Sequence, residues 1–393
     1  MAALSLESRL NQAVEAHFAG DLARAEAGYR QVLLARPSCT IALKGLGIIE
    51  FLAGHKADAV GLFQRATEHD PNDAEAWGNL ANAARATQSS EISFHAARRA
   101  LALVPNEPMA RVCEAAALMA WGYQAEAVAA MSAAAQAHPT RRDLLSMWLF
   151  YAGYDSALNE DDLRDAHGLF GRGFPVVARP PLPRQIRRIG LVSGDFKRHP
   201  VGRFVQPLFR RFDRGQFEFY AYGNEVDEDE VTREIRANAT GYRDLTGLTD
   251  EEAAHQIRAD QIDLLVDLSG HTAGNRLGVF ALRPAPIQAT YLGYSGTTGL
   301  PAIDFLIADS VTVPPGHEQL YHERIARMDR TLYCWPYPPP GEEGEREASE
   351  TFIFGSTNNL AKISAATLDG WAAIINQVPH AELWIKAPTL DMA

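Results

Sequence analysis

Cysteine is scarce in this chain, long apolar runs are absent and positive charge is in deficit, and each shortage removes a class of protein. Cys39, Cys113 and Cys334 are scattered without paired spacing along 393 residues, which gives neither a disulfide framework nor a zinc knuckle. That usage fits a reducing compartment, so a cytoplasmic location is expected. The opening stretch MAALSLESRLNQAVEAHF has Glu7 where a signal peptide needs basic and then unbroken apolar residues. No segment approaches the roughly 18 apolar residues of a membrane span, and no membrane partner is expected. Lys and Arg number 37 against 49 Asp and Glu, a net charge of −12. Phosphate neutralisation needs a basic surface, so a nucleic-acid partner is not expected either. The short basic clusters Arg184-Arg187-Arg188 and Arg210-Arg211-Arg214 read as solvated faces. The length is enough for two or three domains with a sizeable core.

What the chain does have is a period. Prolines 37, 71, 105 and 139 follow one another at intervals of 34 residues, the repeat of a tetratricopeptide array. Small and large residues fall where two antiparallel helices need them: Ala13, Gly20-Asp21, Ala25 and Tyr29 in the first unit; Leu43, Leu46, Gly47, Ala59, Phe63 and Ala66 in the second; Trp77, Leu80, Ala81 and Ala100 in the third; Ala115, Ala127, Met131 and Ala134 in the fourth. Four repeats over residues 6–141 are expected, stacked into a superhelix whose first helices line a concave groove. Asn11, Asn79 and Asn82 lie on those first helices and are candidates for holding an extended peptide backbone, though exposed polar positions account for them equally well. Residues 142–185 keep helical composition and end in the linker PVVARPPLPRQ, which reads as a domain boundary.

From Ile186 short apolar runs alternate with helix-like acidic segments: IGLVSGDF, FEFYAYG, helices near 227–238 and 249–259, IDLLVDLSG, PIQATYLGY and IDFLIAD. Alternation of this kind predicts a parallel doubly wound sheet, in which ligands bind at the carboxyl ends of strands. The unusual residues sit there. Asp195 to His199 follow one strand, Ser269-Gly270-His271-Thr272 another, and Gly293-Tyr294-Ser295-Gly296-Thr297-Thr298-Gly299 a third. The last loop lacks the lysine of a phosphate-binding P-loop and the glycine order of a dinucleotide fingerprint. His317 and His322 are spaced five apart and miss the zinc-protease pattern, and no metal cluster is visible.

With the repeats followed by VSGDFKRHPVGRF and then DLSGHTAGNRLGVFALRPAPIQATYLGYSGTTG, the chain resembles the O-linked N-acetylglucosamine transferase family with its SPINDLY-type members, glycosyltransferase family 41. The resemblance implies a superhelix followed by the first Rossmann-like half of a GT-B glycosyltransferase. It also implies an inverting, metal-independent transfer of a sugar, with no cofactor, from a nucleotide sugar to Ser or Thr of a protein bound by the repeats. By the same resemblance His199 matches the active-site histidine of a DF-x-x-HP motif, and His271, a further catalytic candidate, stands where relatives have Tyr or His. The loop holding Gly293, Tyr294, Gly296 and Thr297 matches one near the donor sugar. Lys362 in STNNLAKI matches the lysine on the donor diphosphate, and Asn359 an amide beside the same donor. A leaving diphosphate needs its growing charge stabilised, a task for Lys362 and helix N-termini. His199 would orient the acceptor or shuttle its proton, with Asp195 or Asp263 as a carboxylate sharing that duty.

The expected domains are 6–141, 142–185, 186–340 and 350–393, the last being the start of a second Rossmann-like half. Some 45 residues of that half cannot bury a core of their own, which reads as a truncation and leaves an alternative open, a non-catalytic repeat scaffold with a transferase remnant.

Overall fold

The computed structural model describes residues 5–224, 228–335 and 351–387. The chain divides into two compact units, residues 1–144 together with 348–393, and residues 145–347.

In the first unit four helical hairpins follow one another: α1 (Leu6–Phe18) with α2 (Leu22–Ala35), α3 (Thr40–Leu52) with α4 (Lys56–His69), α5 (Ala74–Ala86) with α6 (Ser90–Leu103), and α7 (Pro108–Ala120) with α8 (Gln124–Ala137). The prolines end each second helix through the residue in front of them. A residue before proline is pushed out of the α region, and Arg36, Asp70, Val104 and His138 turn to ψ values between 64° and 93°. Ser5, Asp21, Asp73 and Glu107 cap α1, α2, α5 and α7 by accepting a backbone N–H three residues on. Side chains at the repeating positions then fill the seams, with Ala13 and Tyr29, Leu46 and Phe63, Ala81 and Ala100, Cys113 and Met131 all buried. The array ends in α9 (Arg142–Ala152) and α10 (Glu160–Arg172), whose residues from 145 onward belong to the second unit.

That unit is a parallel sheet wound as expected: β1 (Arg188–Ser193), α11 (Pro200–Arg211), β2 (Glu218–Gly223), α12 (Glu230–Asn238), β3 (Gly241–Asp244), α13 (Asp250–Ala259), β4 (Leu264–Asp267), α14 (Leu277–Ala281), β5 (Ile287–Tyr291), β6 (Phe305–Ala308) and β7 (Arg324–Arg327). The strand order is β3-β2-β1-β4-β5-β6-β7, every pair is parallel, and the winding direction reverses between β1 and β4. α12 starts at its Asp229 capping box, a few residues inside the expected 227–238. β3 and β7 are additional to the strands expected from the apolar runs. Phe170 of α10 and Leu149 of α9 sit in one core cluster with Leu265 of β4 and Tyr222 of β2, so the helical extension covers one face of the sheet.

Residues 351–387 form a single β-α-β unit: β8 (Phe352–Ser356), a 3₁₀ turn at Leu360–Lys362, α15 (Ala365–Ile375) and β9 (Ala381–Ile385), with β8 and β9 parallel. No residue of α15 is buried, and Phe352, Leu368, Ile374 and Trp384 stay exposed.

Candidate active site

Ligand sites of wound sheets lie outside the carboxyl ends of the strands, where the winding reverses. The loops after β1 and β4 flank that point here, and the loop after β5 adjoins them.

The first loop is built to present an imidazole. Ser193 Oγ accepts the N–H of Asp195 at 2.9 Å, Phe196 is fully buried as an anchor, and Arg198 is spent on α12, its N–H on Asp229 at 2.5 Å and its guanidinium on Glu230. His199 then caps α11 in extended conformation, Pro200 occupies the first helical position, and Nδ1 accepts the N–H of Val201 at 3.4 Å. A Cβ on Gly202 would lie 2.2 Å from the Lys197 carbonyl oxygen, so only glycine lets the helix start this close to its own loop. The His199 side chain is 44 % exposed, and its Nδ1 lies 3.6 Å from Asp195 Oδ2. The cap fixes Nδ1 inward as an acceptor, and no partner for Nε2 is found among the described residues. Asp263 is a correction: it precedes β4, and its carboxylate accepts the N–H groups of Arg187 and Arg188 at 2.9 and 2.8 Å, at the amino edge of the sheet and away from His199.

The second and third loops are held from behind. Asp267, at the end of β4 and 1 % exposed, accepts the N–H groups of Ser269 and Gly270 and the hydroxyl of Thr290 on β5. Burial raises its pKa against those three bonds, which favour the ionised form. A Cβ on Gly293 would lie 1.8 Å from the Leu268 carbonyl oxygen, so the two loops pack backbone to backbone. Glu323, buried just before β7, accepts Thr297 Oγ1 at 2.6 Å, the Thr298 N–H at 2.8 Å and the Thr298 hydroxyl.

His271 is not at the surface of this site. It is 1 % exposed; its Nε2–H donates to the Thr298 carbonyl at 3.0 Å, so Nδ1 is the acceptor, taking the hydroxyl hydrogen of Ser146 from α9 at 2.8 Å. Tyr294 is held in the same way: its hydroxyl donates at 2.8 Å to Nε2 of His167 on α10, whose Nδ1–H donates to the Leu163 carbonyl at 2.6 Å. Burial drives both histidines toward the neutral form, His271 down to about 3, helped by the neighbouring His167, and His167 down to about 4. As a catalytic candidate His271 is thus corrected to a buried structural residue, because both ring nitrogens are occupied and the ring is sealed between Phe170 and Tyr294. Ser146, His167 and Glu323 were not among the sequence candidates. His322 is also structural, donating Nε2–H to the Arg164 carbonyl.

In the other unit Lys362 is exposed between buried Ala361 and Ile363, and Asn359 caps the 3₁₀ turn by accepting the Ala361 N–H at 3.0 Å. Among the asparagines of the array, Asn11 is exposed, Asn82 accepts from Arg85, and Asn79 Nδ2 is buried without a partner among the described residues.

A repeat array joined to a wound sheet of this design defines a class, the repeat-bearing glycosyltransferases. The profile of glycosyl transferase family 41 matches residues 177–336, and tetratricopeptide profiles match residues 10–74 and 62–91. A solved lysine-to-methionine variant of the Thermobaculum terrenum O-GlcNAc transferase is similar over 98 % of this chain and 69 % of its own, with 31 % identity and a TM-score of 0.69. The probable UDP-N-acetylglucosamine–peptide N-acetylglucosaminyltransferases SPINDLY of Solanum lycopersicum and Hordeum vulgare are 34 % and 36 % identical over 63 % and 64 % of the chain. Those matches span 28 % of the length of each plant relative. The chain belongs to the O-GlcNAc transferase family, glycosyl transferase family 41. No described helix is long and apolar enough to cross a membrane.

Proposed function

We propose that this chain acts in protein O-glycosylation, moving N-acetylglucosamine from its UDP ester to a Ser or Thr hydroxyl of a protein held by the repeats, with inversion at the anomeric carbon and without a metal. The observation that carries the reading is the loop after β1, which spends Ser193 and Arg198 on structure and leaves the outer nitrogen of His199 without a partner among the described residues at the winding reversal. In the reaction the acceptor oxygen attacks the anomeric carbon, the bond from that carbon to the phosphate oxygen breaks, and UDP leaves with the bonding pair. The acceptor proton passes to a base near His199, or the imidazole orients the hydroxyl while water takes it. Negative charge grows on the diphosphate. Lys362 and the N-terminus of α15, whose cap is Ser364, supply the matching positive charge in a GT-B arrangement. The loop of Gly293, Tyr294, Gly296 and Thr297 is the candidate for the donor sugar, and Asn359 is the candidate for an amide contact to the donor. The array supplies the peptide groove, with Asn11, Asn79 and Asn82 on its first helices.

The test is incubation of the purified chain with UDP-N-acetylglucosamine and a Ser/Thr-rich acceptor protein, followed by mass spectrometry of the acceptor. Addition of one N-acetylhexosamine per site supports the reading. Addition only from a fucose or glucose nucleotide corrects the donor, and no transfer from any of the three overturns it.

A further inference from the structure

The turn between α7 and α8, in the fourth repeat, reaches the loop that carries Lys362. Gln124, the first residue of α8, points its Nε2 at three backbone carbonyls: Leu360 at 3.4 Å, Ala361 at 3.2 Å and Ile363 at 3.1 Å. Three acceptors around one nitrogen fix the amide orientation, since the Gln124 oxygen there would face only oxygens. These carbonyls lie in and just after the 3₁₀ turn, where the Leu360 oxygen also accepts the Ile363 N–H at 2.9 Å. Ala361 and Ile363 are buried while Lys362 between them is exposed. The residues flanking the lysine are thereby anchored from beneath, and its side chain is sent outward.

The geometry points to Gln124 as a positioning residue for sugar transfer: the fourth tetratricopeptide repeat sets the Lys362 turn, so the array that receives the acceptor also holds the group that receives the donor diphosphate. This rests on the function proposed above. A sequence reading assigns the array to the acceptor alone, because nothing in the period of 34 marks one Gln as a contact some 236 residues away. The arrangement ties the two substrates together, since strain entering the fourth repeat from a bound peptide is felt at the lysine.

The experiment compares wild type with Gln124→Met, which keeps the length and removes the donors. Hydrogen exchange at the amides of Lys362 and Ile363, which bond Asn359 and Leu360 within the turn, should quicken about tenfold on losing the anchoring bonds. The donor KM should rise by about the same factor, with acceptor-peptide affinity and melting temperature unchanged. Gln124→Arg, which restores donors to the carbonyls, should recover both. Unchanged exchange overturns the anchoring, and unchanged donor KM in an active protein overturns its role in transfer. A loss of peptide affinity and melting temperature in equal measure also overturns it, because the residue would then serve the array alone. If wild type transfers no sugar, the functional reading fails with the kinetic half of this proposal, and the exchange arm still decides the anchoring.

Discussion

Lowering the pH from 7 to 5 should destabilise the α/β unit by about 4 kcal/mol through two side chains, His167 and His271. Both are held neutral in the folded chain, with values pushed down to about 4 and about 3 from an ordinary 6.5. Between 6.5 and those values the unfolded chain binds a proton at each position and the folded chain does not. Stability therefore rises with pH across this window and is lost as pH falls through it. At pH 5 each histidine stands about 1.5 units below its unfolded value, at about 1.36 kcal/mol per unit, so each costs about 2 kcal/mol. The result does not depend on the exact folded value as long as it lies below 5. The assay is urea unfolding followed by a probe in the α/β unit at the two pH values, beside His167→Gln and His271→Gln, which keep hydrogen-bonding groups and remove the titration. Each variant should lessen the pH-dependent loss by about 2 kcal/mol, and imidazole carbon NMR of the folded wild type should show two rings that do not titrate above pH 5. Identical pH dependence in wild type and variants, or two rings titrating near 6.5, would refute the reasoning, because the Ser146 and Leu163 bonds could then not have fixed neutral tautomers.

His199→Ala should lower turnover by about 10²-fold or more, the scale for an acid–base or orienting group, while the melting temperature falls only by the small amount a lost helix cap costs; wild-type turnover would reduce the residue to a helix cap. Lys362→Met should abolish transfer and leave helical content and peptide binding by residues 6–141 intact, which circular dichroism and peptide titration check, and retained transfer would sink its donor role. Glu323→Ala strands the buried donors of Thr297 and Thr298 and should cost about 2–4 kcal/mol in urea unfolding; a loss under about 1 kcal/mol would mean that the loop finds other partners.

The repeats were legible because their signal is local. A proline every 34 residues dictates the backbone of the residue in front of it, and the four preceding residues leave the helix as that rule requires. The central strands were legible for a related reason: β1 and β4 are largely buried and read as near-continuous apolar runs, Ile-Gly-Leu-Val and Leu-Leu-Val. β3 (Gly-Tyr-Arg-Asp) and β7 (Arg-Ile-Ala-Arg) were not. They are four-residue edge strands, half wetted, and charge on an edge strand guards against stray pairing, so their composition hides them among loops.

The site divides along the same line. That the loops after β1, β4 and β5 would share the carboxyl edge of the sheet followed from topology alone, and Asp263 could have been set aside by the same rule, since a residue in front of a strand starts at the opposite edge. Which histidine stays open at the site and which is sealed beneath it could not be read, because the difference is burial. His199 and His271 look alike in the chain, each in a short polar turn after a strand. What separates them is α9 and α10, which pack Leu149 and Phe170 into the core beneath the sheet and bring Ser146 and His167 against the backs of the loops. Residues 142–185 read as an extension and a linker because their apolar residues fit a helix with no stated neighbour. In the fold those helices are the rear wall of the candidate active site, so the tautomers of His271 and His167, and through them the placement of Thr298 and Tyr294, are set by a segment that composition alone assigns to the connection between domains.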